Sequence, residues 1–216
     1  MRERTLGATG RSDEGVAVPA RFVYWMNVSL DGFIESRSGQ NGDLGGPEWV
    51  RIDEQLHRFF NERARAMTMA VEGRVIHDMM DPFWPDARSD ESLPDYMREY
   101  GEIWTEQRKV LVSRSRTAAD HNTTIINEDA ITRLAELRAG SEGDIGVGGA
   151  DLATQLLTAG LLDELMLFTH PAVLGAGRPL FDSPADAIRQ PLQLELLEQR
   201  SFDSGVVMHR YAITRE

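Results

Sequence analysis

The chain contains no cysteine. That absence excludes a disulfide framework, a thiolate zinc site and a cysteine nucleophile, and it fits a reducing cytosol, so a cytoplasmic setting is expected. Positive charge is also scarce. There are 23 Lys and Arg residues against 35 Asp and Glu, a formal net charge of −12. A surface of that sign repels phosphate backbones and anionic bilayers, so neither nucleic acid nor a membrane is an expected partner. No apolar run approaches the roughly 18 residues of a membrane span. Met1 to Ala20 lacks the apolar stretch of a signal peptide and carries Glu3, Asp13 and Glu14. It reads as a loose arm ahead of one folded domain, residues 21–216. The five histidines, His57, His77, His121, His170 and His209, show no metal-ligand spacing.

What is there reads as strands alternating with helices. Phe22 to Val28 is apolar on both faces until Asn27, the pattern of a central strand covered on both sides. Beyond it Asn27, Ser29 and Asp31 alternate onto one side, at the strand exit where open α/β sheets bind ligands; Asp31-Gly32 is equally the signature of a plain turn. Gly39 to Gly46 is a glycine-rich loop, and Pro47 stands where the first turn of a helix accepts proline. Trp49, Ile52, Leu56, Phe59 and Phe60 follow at helical spacing. Ala66–Val71, Val110–Val112, Thr123–Ile126, Ile145–Val147 and Leu165–Thr169 are further strand candidates. Val75–Met80, a stripe through Tyr96, Tyr100, Ile103 and Trp104, a segment capped by Asn127, and Asp151–Ala159 are helix candidates, with Asp86–Pro94 as a surface loop. Leu192–Glu198 and Val206–Ile213, separated by Asp203-Ser204-Gly205, form a hairpin signal. The expected architecture is one α/β domain: a mainly parallel central sheet flanked by helices and closed by a C-terminal antiparallel hairpin.

Three strand exits share one chemistry. They carry Gly73-Arg74, Ser113-Arg114-Ser115 and Gly148-Gly149-Ala150. Parallel strands bring such junctions to one sheet edge. Glycines admit close backbone approach, helix N-termini offer free N–H groups to an anion, and arginine and serine bind phosphate. Together they fit a polyphosphate ligand. The Rossmann fingerprint fails, because Asp151 stands where its last glycine belongs, and the chain has neither a Gly-Lys-Ser/Thr loop nor a Gly-x-Ser-x-Gly elbow.

These junctions, in this order, resemble the dihydrofolate reductase-like superfamily, in particular the branch of the C-terminal reductase domain of riboflavin-biosynthesis RibD. The matching segments are Val28-Ser29-Leu30-Asp31-Gly32-Phe33-Ile34, Gly73-Arg74, Lys109 to Arg114, Ile145 to Gly149, Leu161 to Leu165, and Pro171 to Phe181. The likeness runs from about Arg21 to Ile213. It implies an NADPH-dependent reductase. By that resemblance Gly148, Gly149 and Ala150 meet the pyrophosphate at a helix N-terminus, and Asp151 beside them belongs to the cofactor-binding set. Gly73, Arg74, Ser113 and Arg114 sit near the adenosine ribose and its 2′-phosphate. Asn27, Ser29 and Asp31 approach the nicotinamide or the substrate, with Asp31 as the polar group nearest the transferred hydride and Glu35 and Asp53 as weaker candidates.

Three departures narrow the substrate. Folate-reducing members place a carboxylate early in the helix after the first loop, where this chain has Trp49; Asp53 or Glu54 comes one turn later. The zinc deaminase half that often accompanies the riboflavin enzyme needs cysteine, which this sequence lacks, so at most the reductase step is expected of it. Basic residues for a substrate phosphate are limited to Arg51, Arg58 and Arg178. The expected activity is hydride transfer from NADPH to a pteridine- or pyrimidine-related small molecule. The alternatives are a non-catalytic nucleotide-binding dimer of the same fold, or a reductase using another hydride carrier. A homodimer is expected, because the apolar tail strands and the Pro171–Phe181 segment exceed what closure of a small sheet requires.

Overall fold

A computed structural model describes residues 20–37, 48–181 and 191–215. The arm up to residue 19, the Gly39–Gly46 loop and Pro47 lie outside the described residues. Ala20 is fully buried, and its N–H donates to the Ser141 carbonyl.

Among the described residues ten strands and six helices follow one another. They are β1 (Arg21–Ser29), β2 (Phe33–Ser36), α1 (Glu54–Ala66), β3 (Met69–Gly73), α2 (Arg74–Met80), α3 (Trp84–Ala87), α4 (Asp95–Glu106) and β4 (Lys109–Val112). Then come β5 (Thr123–Ile126), α5 (Ala130–Ala139), β6 (Asp144–Gly148), α6 (Ala150–Thr158), β7 (Leu162–His170), β8 (Gly177–Pro179), β9 (Leu194–Ser201) and β10 (Val207–Ile213). Eight strands form one sheet in the order β5-β4-β3-β6-β1-β7-β10-β9. The first six are parallel; β10 runs antiparallel to β7, and β9 antiparallel to β10. The expected mainly parallel sheet with its C-terminal hairpin is therefore the observed architecture.

The central strand forms because its residues suit both faces. Phe22, Val23 and Tyr24 are all fully buried. Phe22 and Tyr24 face a cluster with Leu134 of α5 and Leu152 and Leu156 of α6. Val23 faces the opposite cluster with Leu56, Phe59 and Phe60 of α1 and Met166 and Phe168 of β7. Burying such side chains contributes roughly 1.5–3 kcal/mol each, and two-sided burial is what an all-parallel core needs.

Among the boundaries that differ from the expectation, four change the reading of a residue or loop. Helix α1 begins at Glu54, capped by Asp53, whose Oδ1 accepts from the Leu56 N–H at 2.8 Å. Trp49 therefore precedes the helix, and Ile52 is exposed rather than part of its buried stripe; an N-cap carboxylate overrides the apparent apolar period. The strand placed at Ala66–Val71 is Met69–Gly73, since Ala66 completes α1. The loop from Asp86 to Pro94 opens within the one-turn helix α3. Helix α5 is preceded by Asp129 in the left-handed region at φ 50°, with no side-chain cap, so Asn127 is not its cap.

The order of strands creates one place for a ligand. From β3 the chain moves outward through β4 to β5; from β6 it crosses β1 to reach β7. Connections leaving β3 and β6, which are neighbours, thus diverge. That is a topological switch point, and crevices form there at the carboxyl edge.

Candidate functional site

At the switch point, the exits of β3 and β6 are close. A Cβ built on Gly73 would stand 3.6 Å from the Gly148 carbonyl oxygen, and one built on Gly149 would stand 3.8 Å from Gly73 Cα. Gly149 adopts φ +106°, which an L side chain rarely tolerates. It precedes α6 with no side-chain cap, so the first N–H groups of that helix are left for another acceptor. Ala150 is fully buried beneath them. Asp151 is exposed and accepts from Gln155 one turn on.

Beside this crevice lies a cationic cluster. Ser113 is buried, and its hydroxyl accepts from the Arg116 N–H at 3.2 Å, which folds the turn after β4. Arg114 is exposed and makes no hydrogen bond among the described residues. Arg74, at the start of α2, donates to Asp78 at 2.8 Å, and Arg116 donates to the other oxygen of the same carboxylate. Partial burial pushes the Asp78 carboxyl upward, but the two guanidinium partners outweigh it and hold it below its ordinary value. Asp78 thus draws Arg74 and Arg116 together at one edge position. Arg116 and Asp78 escaped the sequence reading, although Arg116 sits two residues beyond Arg114 in the same strand exit.

The exits of β1 and β7 form a second polar centre on the α1 face of the sheet. Asn27 Oδ1 lies 3.0 Å from His170 Nε2, and His170 Nδ1 lies 3.0 Å from the Arg51 backbone nitrogen. His170 is fully buried, and burial, with the Arg51 cation nearby, pulls its pKa down to about 4. The Trp49 indole meets the imidazole edge-on at 5.6 Å, and its N–H is buried without a partner among the described residues. His170 was not among the residues chosen from sequence. The signal that marks Asn27, a polar side chain at the exit of an apolar strand, applies equally to it.

Ser29 and Asp31 organise the neighbouring backbone. Ser29 Oγ donates to Asp31 Oδ1 at 2.7 Å and accepts from the Phe33 N–H at 3.0 Å. Asp31 accepts from the Leu174 N–H at 3.1 Å and the Gly175 N–H at 2.7 Å. The Ser29 hydroxyl, then these backbone donors, hold its carboxyl below the ordinary value. The segment from Pro171 to Phe181 is thereby laid across the exit of β1, helped by Leu30 N–H to Ala172 O at 2.8 Å and Tyr24 OH to Leu180 O at 2.9 Å. Glu35 pairs with Arg178 across β2 and β8, beside a shallow recess of about 450 Å³ that also includes Ser36 and Gly175. Asp53 is occupied as the α1 cap.

The mostly parallel sheet with its C-terminal antiparallel hairpin, carrying a glycine-lined crevice at the switch point and a separate polar centre at the next strand exits, has the dihydrofolate reductase-like fold. The family model for the RibD C-terminal domain matches residues 22–208, and the chain belongs to that family. It is 30% identical over 192 residues to the uncharacterised protein YyaP of Bacillus subtilis (strain 168), spanning 88% of this chain and 94% of that one. A pyrimidine reductase-like protein from Corynebacterium diphtheriae shares the fold at a TM-score of 0.61 and 15% identity, over 91% of this chain and 93% of that one. Dihydrofolate reductase from Enterococcus faecalis, solved with NADP(H) and RAB-propyl, shares it at a TM-score of 0.57 and 12% identity, over 93% and 100%.

Proposed function

We propose that this protein is an NADPH-dependent reductase that transfers hydride to a small pteridine- or pyrimidine-related heterocycle, working in the cytoplasm as a homodimer. The observation that carries the reading is the switch-point crevice. There, Gly73, Gly148 and Gly149 leave room for close backbone approach, and an uncapped helix end and paired arginines stand beside it.

The residues fit the group. Gly148 and Gly149 remove the side chains that would block a pyrophosphate, and the free N–H groups of α6 supply its donors. Arg74 and Arg116, held together by Asp78, with Arg114 beside them, suit a phosphate dianion; guanidinium groups pair with phosphate in a bidentate manner. When bound, the nicotinamide supplies the hydride, and the protein supplies placement. Asn27, positioned by the buried His170, provides a polar contact on the substrate side. Ser29 and Asp31 fix the Pro171–Phe181 segment that walls this end, which keeps the site's geometry preorganised. Membership of the RibD C-terminal domain family and the pyrimidine reductase-like and dihydrofolate reductase neighbours support the same reading.

Calorimetric titration with NADPH and NADH tests it. NADPH is expected to bind more tightly than NADH. Arg116→Ala and Arg74→Ala are each expected to cut NADPH affinity by about tenfold while leaving NADH nearly unchanged, because a charge-assisted contact is worth roughly 1.5–3 kcal/mol. Equal binding of the two nucleotides, or binding of neither, overturns the proposal.

A further inference from the structure

We propose that Asn27 is locked by His170 as a hydrogen-bond donor toward the substrate, so that the site selects a ring presenting a carbonyl oxygen there and rejects one presenting an amino group. The inference rests on the reductase reading and deepens it by naming what the ring must offer.

The protons on the His170 ring fix the direction of each hydrogen bond. A backbone N–H can only donate, so the Arg51 N–H, 3.0 Å from His170 Nδ1, requires a lone pair on that nitrogen. The ring is fully buried and neutral, so its single proton sits on Nε2. Nε2–H then donates across 3.0 Å to Asn27, and the amide atom facing it must be the oxygen. The amide NH2 therefore points away from His170. It makes no hydrogen bond with any described residue, and it is not among the buried unpartnered atoms. The chain of contacts cannot reverse, because the Arg51 N–H cannot accept.

Position assigns this donor to the substrate rather than to the nucleotide. Asn27 shares a face with Val23 and Trp25, the α1 side of the sheet, whereas α6, whose N-terminus faces the crevice, packs on the other side. The crevice lies between β3 and β6; Asn27 and His170 lie on β1 and β7, and two strand spacings, about 10 Å, separate β3 from β1. His170 acts through Asn27 and is a positioning residue. Trp49, packed against the imidazole, brings no acceptor of its own.

The test uses the full-length chain and a matched pair of probes, lumazine (2,4-dioxopteridine) and 2,4-diaminopteridine, titrated with and without NADPH. Long-range ¹H–¹⁵N correlation of the His170 ring at neutral pH is expected to show the Nε2–H tautomer; the Nδ1–H tautomer overturns the proposal without any variant. Wild type is expected to bind the dioxo probe roughly tenfold more tightly than the diamino probe, the scale of one hydrogen bond made or lost. Asn27→Asp, isosteric but presenting an acceptor, is expected to reverse that order. His170→Phe is expected to leave NADPH affinity intact and shrink the preference to within about threefold, and His170→Gln, which donates and accepts at similar reach, to restore part of it. If Asn27→Asp does not fold, Asn27→Ser, a donor and acceptor at once, is expected to abolish the preference. A preference unchanged in these variants, a wild type favouring the diamino probe, or binding of neither probe overturns the proposal. Failure to bind NADPH while the dioxo preference holds counts against the reductase reading and leaves the donor assignment standing.

Discussion

Lys109 is the only lysine in the chain, and it is fully buried. Its ammonium donates to the carbonyls of Trp104 and Gln107, the latter at 3.0 Å, and lies 4.2 Å from the Trp104 ring centroid. Burial lowers its pKa from 10.5 to about 8, against the opposing pull of Glu72 and Asp81. Between those two values the unfolded chain holds a proton that the folded chain has released. Folding stability attributable to this group therefore rises as pH rises from about 8 to about 10.5, and below about 8 the gain is absent. Selective ¹³Cε-lysine labelling yields one signal, expected to titrate with a midpoint near pH 8; a midpoint near 10.5 places the ammonium in water instead. The same scale shows what spacing can reveal. Asn27 was legible because it interrupts an apolar strand. Its partner His170, 143 positions away, was not, because no local pattern encodes which strand lies beside which.

At the scale of the element, backbone conformation rather than propensity decides the site. Gly149 joins β6 to α6 at φ +106°. Gly149→Ala is expected to destabilise the fold by about 1–3 kcal/mol, the cost of a residue held in a sparsely populated region, and to weaken NADPH binding in parallel. Urea unfolding and titration check both, and unchanged stability would show that the turn relaxes freely. Gly101, inside α4, has a different reason to be glycine: a Cβ there would lie 2.7 Å from the Trp84 carbonyl oxygen and from the Arg88 nitrogen, so α3 can pack this closely only against a bare backbone. Most elements were readable from period and punctuation. The exceptions were ends, where the Asp53 cap starts α1 later than the apolar stripe implies and Asp129 enters α5 through a left-handed residue.

Over the whole molecule the two sheet edges divide the work. The amino edge is clamped by charge. Arg210 and Arg21 both contact Asp144 and Glu164, tying β1, β6, β7 and β10 together away from the ligand edge. Among the described residues no helix is long and apolar enough to cross a membrane. The outer strand β9 bears Leu194, Leu196 and Leu197, exposed at 41%, 50% and 47%. Leu197 is the extra residue of an irregularity opposite Arg210 and Tyr211. An apolar edge strand of this kind is a surface that soluble proteins usually cover, and it supports the proposed homodimer. Sedimentation velocity is expected to give twice the 24.2 kDa chain mass, and Leu196→Glu is expected to shift the protein to monomer with its NADPH affinity intact. A wild type that sediments as a monomer removes the proposal.

The sequence by itself determined the class of fold, because alternation of apolar strands with amphipathic helices leaves a parallel sheet as the way to bury both faces of β1. It also determined where ligand-binding junctions could arise, because glycines and arginines directly follow apolar strands. Only the tertiary structure decided which of those junctions meet. The strand order sets β6 between β3 and β1 and so brings Gly73 against Gly148. It joins Arg74 and Arg116 through Asp78, turns the Asp31 carboxylate onto the backbone of Leu174 and Gly175, and fixes the polarity of Asn27 through His170. Hydrogen-bond direction depends on what each atom faces across the sheet, and that is a property of three-dimensional packing rather than of spacing along the chain.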